Sequence, residues 1–236
     1  MKVNEGLVAI ADTRVTSGTE YITARKVTIH QFGEHHMFLM TSGLRAVRDK
    51  ALTYFKEVLE EQIGKYDRLY KAVNAFADQI RRVRREDKEA LEESGMGFNL
   101  FSIVGGRLER DGEHRLYLLY PQANWVEVSQ STPYFLIGQS SYGKPLLDRF
   151  LSGDTSLDLA LRMGYLAFNA TRVATTDVDF PLDVVLFRHD NSAIAEHRYE
   201  REDLESVSQW WHDHLAESMH HLPSEWVNDA LGKLKR

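Results

Sequence analysis

Cysteine is missing from the 236 residues, which removes disulfides, thiolate nucleophiles and cysteine-ligated metals together. That absence is compatible with a reducing cytoplasm, the location expected for this chain. Long apolar runs are missing too. No stretch approaches the roughly 18 residues needed to cross a bilayer, and residues 1–6 lack the apolar core of a secretory signal, so no membrane partner is expected. There is no excess of positive charge either: 29 Lys and Arg stand against 35 Asp and Glu, a formal net charge of −6. This gives no global attraction for nucleic acid or an anionic membrane. Linker composition is absent as well. With 5 prolines, no Pro/Gly/Ser-rich tract and no internal repeat, one domain over 1–236 is expected, ending in a helical extension at about 201–236. A 43% hydrophobic share can fill a substantial core.

What is present is a succession of periodicities. Residues 6–12, 26–30 and 36–41 form short apolar or alternating runs separated by Gly18 and Gly33, which read as three strands with turns. After Thr41-Ser42-Gly43 the period changes. Val47, Ala51, Tyr54, Phe55, Val58 and Leu59 recur at helical spacing up to a break near Gly64, and Leu69, Val73, Phe76, Ile80 and Val83 form a second helix. Strand character returns at 98–104, 115–120, 125–128 and 134–137, read as a second sheet. Helices at 141–151 and after Asp154 or Thr155 as N-caps follow, then an apolar strand at 182–187 and a helix carrying Leu204, Val207, Trp211 and Leu215. Strand groups alternating with helix pairs predict an α+β fold, a four-layer αββα sandwich of two mostly antiparallel sheets.

The first strand, GLVAIADTR at 6–14, ends in a carboxylate and an arginine. Taken singly, Asp12 reads as a strand-end turn former, Lys26 as a solvated lysine and Gly43 as a strand-to-helix turn glycine. As an ordered set the wording is more specific. GLVAIADTR resembles the first strand of proteasome β-type subunits, RKV at 25–27 resembles their lysine segment, and TSG at 41–43 resembles their strand-Gly-helix corner. From NWVEV at 124–128 to DFPLDVVLFR at 179–188 the chain resembles the Anbu family, bacterial relatives of the proteasome β subunit.

That resemblance implies an N-terminal-nucleophile hydrolase, a threonine-type peptidase subunit acting on peptides or unfolded protein without cofactor or metal. A leading Thr would attack the amide carbonyl, with its own α-amine as base. Lys26 would disfavour protonation of that amine, Asp12 would fix Lys26, and the Gly43 N–H would face the oxyanion. Ser140 would be the supporting serine and Asp177 a second supporting acid. The same matching places the nucleophilic Thr about five residues before Met1. Thr13 and Thr16 are internal and carry no free α-amine, so the 236 residues alone are expected to be inactive, and a non-catalytic scaffold or binding assembly is the alternative. The family further implies a homo-oligomer, a ring or open spiral.

Three other features have plainer readings. Ser140 and Ser141 also suit N-caps of the helix that follows. His212, His214, His220, His221 and Asp213 lack the usual zinc-site spacings and read as a solvated C-terminal helix. The tract Arg81-Arg82-Val83-Arg84-Arg85 is followed directly by Glu86, Asp87, Glu89, Glu92 and Glu93, the mixed charge of an exposed or subunit-facing helix. Trp210, Trp211 and Trp226 are expected on the surface as partner contacts.

Overall fold

In the computed structural model, which describes residues 1–17, 20–62, 65–190 and 194–235, two compact units divide the chain at Met1–Arg198 and Tyr199–Arg236. The first unit opens with β1 (Lys2–Val3), which turns directly into β2 (Gly6–Asp12). Gly6 is required at that turn: its φ is +151°, and a Cβ there would lie 2.0 Å from the Phe187 carbonyl oxygen. The hairpin β3 (Arg14–Ser17) and β4 (Glu20–Thr23) follows, then β5 (Val27–Phe32) and β6 (His35–Gly43), joined through the expected turn at Gly33. The predicted turn at Gly18 and helix break at Gly64 lie outside the described residues.

Helix α1 (Arg45–Glu61) and α2 (Leu69–Glu93) carry the two periodic faces read from the sequence. Next come β7 (Leu100–Arg107), β8 (Arg115–Leu119), β9 (Trp125–Glu127), α3 (Lys144–Phe150), α4 (Leu157–Ala174), β10 (Leu182–Arg188) and β11 (Ile194–Tyr199). One sheet has the order β1-β2-β10-β11 and the other β5-β6-β7-β8-β9, with antiparallel pairing in the ladders β1/β2, β2/β10, β5/β6, β6/β7, β7/β8 and β8/β9.

The expected layers follow from which face each apolar residue takes. Met37, Leu39, Val104 and Tyr117 pack outward with Phe55, Phe76 and Ile80 of α1 and α2. Phe38, Met40, Ile103 and Leu116 turn inward to meet Leu7, Ala9, Val185 and Phe187 of the other sheet. On its far side that sheet offers Val3 and Val8 to Leu147 of α3 and Ala160 and Ala167 of α4. Alternation along each strand therefore fills three apolar layers between four layers of secondary structure. Two of the α2 arginines are taken up locally, Arg81 by Asp78 and Arg82 by Glu86, while Lys50 of α1 ties to Glu86 and Asp87.

Several expectations are corrected. The sheets are not contiguous in sequence: β2 pairs with β10, while β5 and β6 join β7, β8 and β9. Period-two patterning marks a strand but carries no information about a partner about 170 residues away. Residues 134–137, expected as a strand, form no ladder, because the neighbouring β1 offers a single bond, Lys2 N–H to the Pro133 carbonyl at 2.7 Å. Helix α4 is capped by Ser156, whose side chain accepts from Leu159 N–H, and not by Asp154 or Thr155. Those two are engaged elsewhere, Asp154 with Asn4 and Thr155 with the Ser152 N–H. Helix α3 begins after Gly143 with no side-chain cap, so neither Ser140 nor Ser141 serves as one. The β3–β4 hairpin and β11 lie in stretches for which no element is expected from the sequence.

The second unit holds α5 (Arg201–His220), α6 (Glu225–Gly232) and a short 3-10 turn at Lys233–Lys235. A capping box between Glu200 and Asp203 starts α5. Trp210 and Trp226 are exposed, as expected, but Trp211 is only half-exposed.

Candidate active site

Strand β2 brings Asp12 to the wall of a cavity of about 410 Å³. There its Oδ1 accepts from Lys26 Nζ at 2.7 Å and its Oδ2 from the Arg14 backbone N–H at 3.1 Å. Lys26 stands immediately before β5, and its carbonyl accepts from Thr41 N–H of β6. Both partners are largely shielded, with side-chain exposures of 13% for Asp12 and 21% for Lys26. Burial pushes the Asp12 carboxyl up, against the lowering influence of the Lys26 ammonium and of the hydrogen bonds it accepts. Lys26 is the nearest compensation for the water that the Asp12 carboxylate has lost.

Gly43, at the end of β6, also lines the cavity, with Thr41 and Ser42 before it. Its φ is +127°, and a Cβ would lie 2.4 Å from the Asn99 carbonyl oxygen, so the chain can turn from β6 into α1 here only with glycine. Asp177 lines the same cavity on the exposed loop between α4 and β10, where it accepts from Thr16 Oγ1 at 3.0 Å. Ser140 is not among the lining residues. Its carbonyl accepts from Lys144 N–H at the start of α3, while Gly138 and Gln139 reach the cavity. Asp12, Lys26, Gly43 and Asp177 thus line one cavity, and Ser140 does not.

Arg14 is the residue the sequence reading quoted without a role. Its guanidinium binds the Thr176 carbonyl at 2.7 Å and Asp179 at 3.0 Å, pinning the loop that carries Asp177 to β3. Its position two residues after Asp12 was the available signal. The hydroxyl of Thr13 donates to the Pro181 carbonyl and that of Thr16 to Asp177, so both are committed to structure. Among the described residues no cluster of three or more His, Asp or Glu is placed to hold a metal. His214 and His221 each engage a carbonyl one turn earlier in their own helix. Among the described residues no helix is long and apolar enough to cross a membrane.

The amine of Met1 occupies a strand position. It donates to the Val8 carbonyl at 2.8 Å while Val8 N–H donates back to the Met1 carbonyl at 3.0 Å. Burial lowers this amine from its ordinary 8.0 to about 5. Lys2 pairs with Leu7 and Val3 with Gly6, so each step back along β1 advances one residue along β2. Five steps before Met1 reach the level of Thr13, beside Asp12 and Lys26, over about 17 Å at ~3.4 Å per residue.

The proteasome subunit family profile matches residues 1–179. No curated protein matches. Among solved structures, Anbu (ancestral β-subunit) from Yersinia bercovieri is 28% identical with a TM-score of 0.86, over 94% of this chain and 95% of that one. The helical assembly of the Anbu complex from Pseudomonas aeruginosa is 27% identical with a TM-score of 0.88, over 95% of each chain. A Gly-1 mutant of Anbu from Hyphomicrobium sp. strain MC1 gives 28% and 0.85, over 94% and 95%. The αββα layers, the Asp12–Lys26 pair at the end of β2 and these likenesses lead to one conclusion: the chain belongs to the proteasome subunit family, where it is similar to the Anbu proteins.

Proposed function

We propose that this fold is a threonine-type peptidase subunit whose nucleophile arrives on a longer β1. The carrying observation is the β1/β2 register, which directs any residues ahead of Met1 along β2 toward the Asp12–Lys26 pair. A Thr beginning that strand would bring its hydroxyl and α-amine to the lysine together. The amine takes the hydroxyl proton as Oγ attacks the substrate carbonyl, then passes it to the departing amine, and water cleaves the resulting ester. Lys26, held by Asp12, keeps the amine unprotonated by like-charge repulsion. The Gly43 N–H is assigned to the oxyanion, and Asp177 and Ser140 to support from the loop and the α3 corner.

The substrates are peptides or unfolded segments, and the working form is a homo-oligomer, a ring or open spiral in the manner suggested by the helical assembly of the Pseudomonas aeruginosa relative. The test is turnover of an unbiased peptide library by a chain lengthened to begin with Thr five residues before Met1. Turnover by the lengthened chain and none by the 236-residue chain is the expected result. Equal turnover by both overturns the reading. A correctly assembled lengthened chain without turnover establishes the scaffold alternative.

A further inference from the structure

Charges that are mixed along the sequence of α2 separate in space. Glu86 and Asp87 turn to α1, where both accept from Lys50 Nζ at 2.7 Å and Glu86 also accepts from the Tyr54 hydroxyl at 2.9 Å. Arg81, Arg84, Arg85 and Lys88 recur at steps of three and four residues, the spacing of one helix face. Together they line a groove of about 660 Å³. Gln122, in the turn between β8 and β9, lines it too, and Arg81 ties that turn to α2 by donating to the Ala123 carbonyl at 2.7 Å. Only Glu89 and Glu92 add negative charge to the lining, so four cations stand against two acids. Arg81 meets Asp78 at 2.8 Å and Lys88 meets Glu92 at 3.5 Å. Among the described residues Arg84 and Arg85 meet no carboxylate, and the Arg84 guanidinium rests over the Phe98 ring at 5.9 Å. The groove shares no lining residue with the cavity of Asp12 and Lys26.

We propose that this groove binds a short chain of linked phosphates. From Arg81 to Lys88 the stripe rises about 10 Å at ~1.5 Å per residue, with a cation at every turn, so its occupant must carry several charges in line. Carboxylates on one face of an extended peptide recur only about every 7 Å, too sparsely for that spacing. A long polyanion would run out over a chain whose net charge is −6 and be repelled there, whereas a short one stays among the cations. The planar forks of Arg84 and Arg85 pair with phosphate oxygens two at a time, and Arg81 and Lys88 close the two ends. The site is independent of the peptidase reading above.

The experiment titrates inorganic triphosphate into the 236-residue chain by calorimetry. One saturable site is expected, weakening at least about threefold as salt rises from about 50 to 200 mM. Replacing Arg85→Gln and Lys88→Gln together should weaken it at least about tenfold, the loss of two charge-assisted contacts. Lys56→Gln, an exposed change on α1 outside the groove, should alter the affinity less than about twofold. Adenosine triphosphate forms a second arm: equal affinity assigns the site to the phosphates alone and tighter binding to a nucleotide, and either upholds the proposal. Absence of saturable binding up to about 1 mM, binding indifferent to salt or to the paired replacement, or an equal loss with Lys56→Gln overturns it. Arg85 and Lys88 are both exposed, and should the paired variant fail to fold, Arg85→Gln alone carries the comparison.

Discussion

Asp12 and Lys26 lie 14 residues apart in sequence and 2.7 Å apart in space, and each makes a separate claim on the other. For a chain lengthened to begin with Thr, Lys26→Ala should lower peptide turnover by at least about a hundredfold, the scale of a general base left in the wrong protonation state, with the far-ultraviolet circular dichroism unchanged. Loss of the fold instead would make the lysine structural. The Met1 amine gives a second expectation, with a definite sign. In the unfolded chain it is protonated below 8.0, in the folded chain only below about 5. Between those values the unfolded state binds more protons, so this group makes stability rise with pH from 5 to 8 and adds no dependence above 8. Acetylation converts the Met1 amine to an amide that can make the same bond to Val8 without charge. Denaturant unfolding at pH 5 should then show the acetylated 236-residue chain more stable than the unblocked one by up to roughly 4 kcal/mol, with the gap closing by pH 8. Asp12, Lys26 and Gly43 were legible because they sit inside worded motifs. Arg14 was not, since its work is to hold a loop some 160 residues away, and Ser140 was placed at a corner whose lining role falls to Gly138 and Gln139.

At the scale of elements, local signals were read well and pairing was not. The spacing of Val47, Ala51 and Phe55, and of Leu69, Val73 and Phe76, specified α1 and α2 because one face of each is covered by the sheet. The β2/β10 ladder had no such local trace. Residues 134–137 carry a strand's composition without a strand's bonds, since two residues of β1 cannot supply a ladder. Side chains that cap or turn are similarly ambiguous in sequence: Asp154, Thr155 and Ser156 are all suited to an N-cap, and only the last accepts from the helix. Ser156→Ala should therefore cost about 1 kcal/mol, read as a fall of about 2–4 °C in Tm. The equivalent change at Thr155 should act instead through its hydroxyl's bond to Ser152 N–H.

For the whole molecule, the cavity is lined by β2 from Val8 to Asp12, and a chain lacking excess positive charge presents no general attraction for nucleic acid. The C-terminal unit bears Trp210, Met219, Leu222 and Trp226 in the open, apolar surface of the kind that marks protein contacts. Light scattering at micromolar concentration should accordingly give a homo-oligomer, and a monomer of 27.2 kDa would remove that part of the account. The central claim, a nucleophile carried to Asp12 and Lys26 by a longer β1, is tested most directly by intact mass after exposure to a threonine-directed peptide electrophile. The chain lengthened to begin with Thr should gain one adduct, on that Thr, and the 236-residue chain none. No adduct on a folded lengthened chain, or equal labelling of both chains, would contradict it.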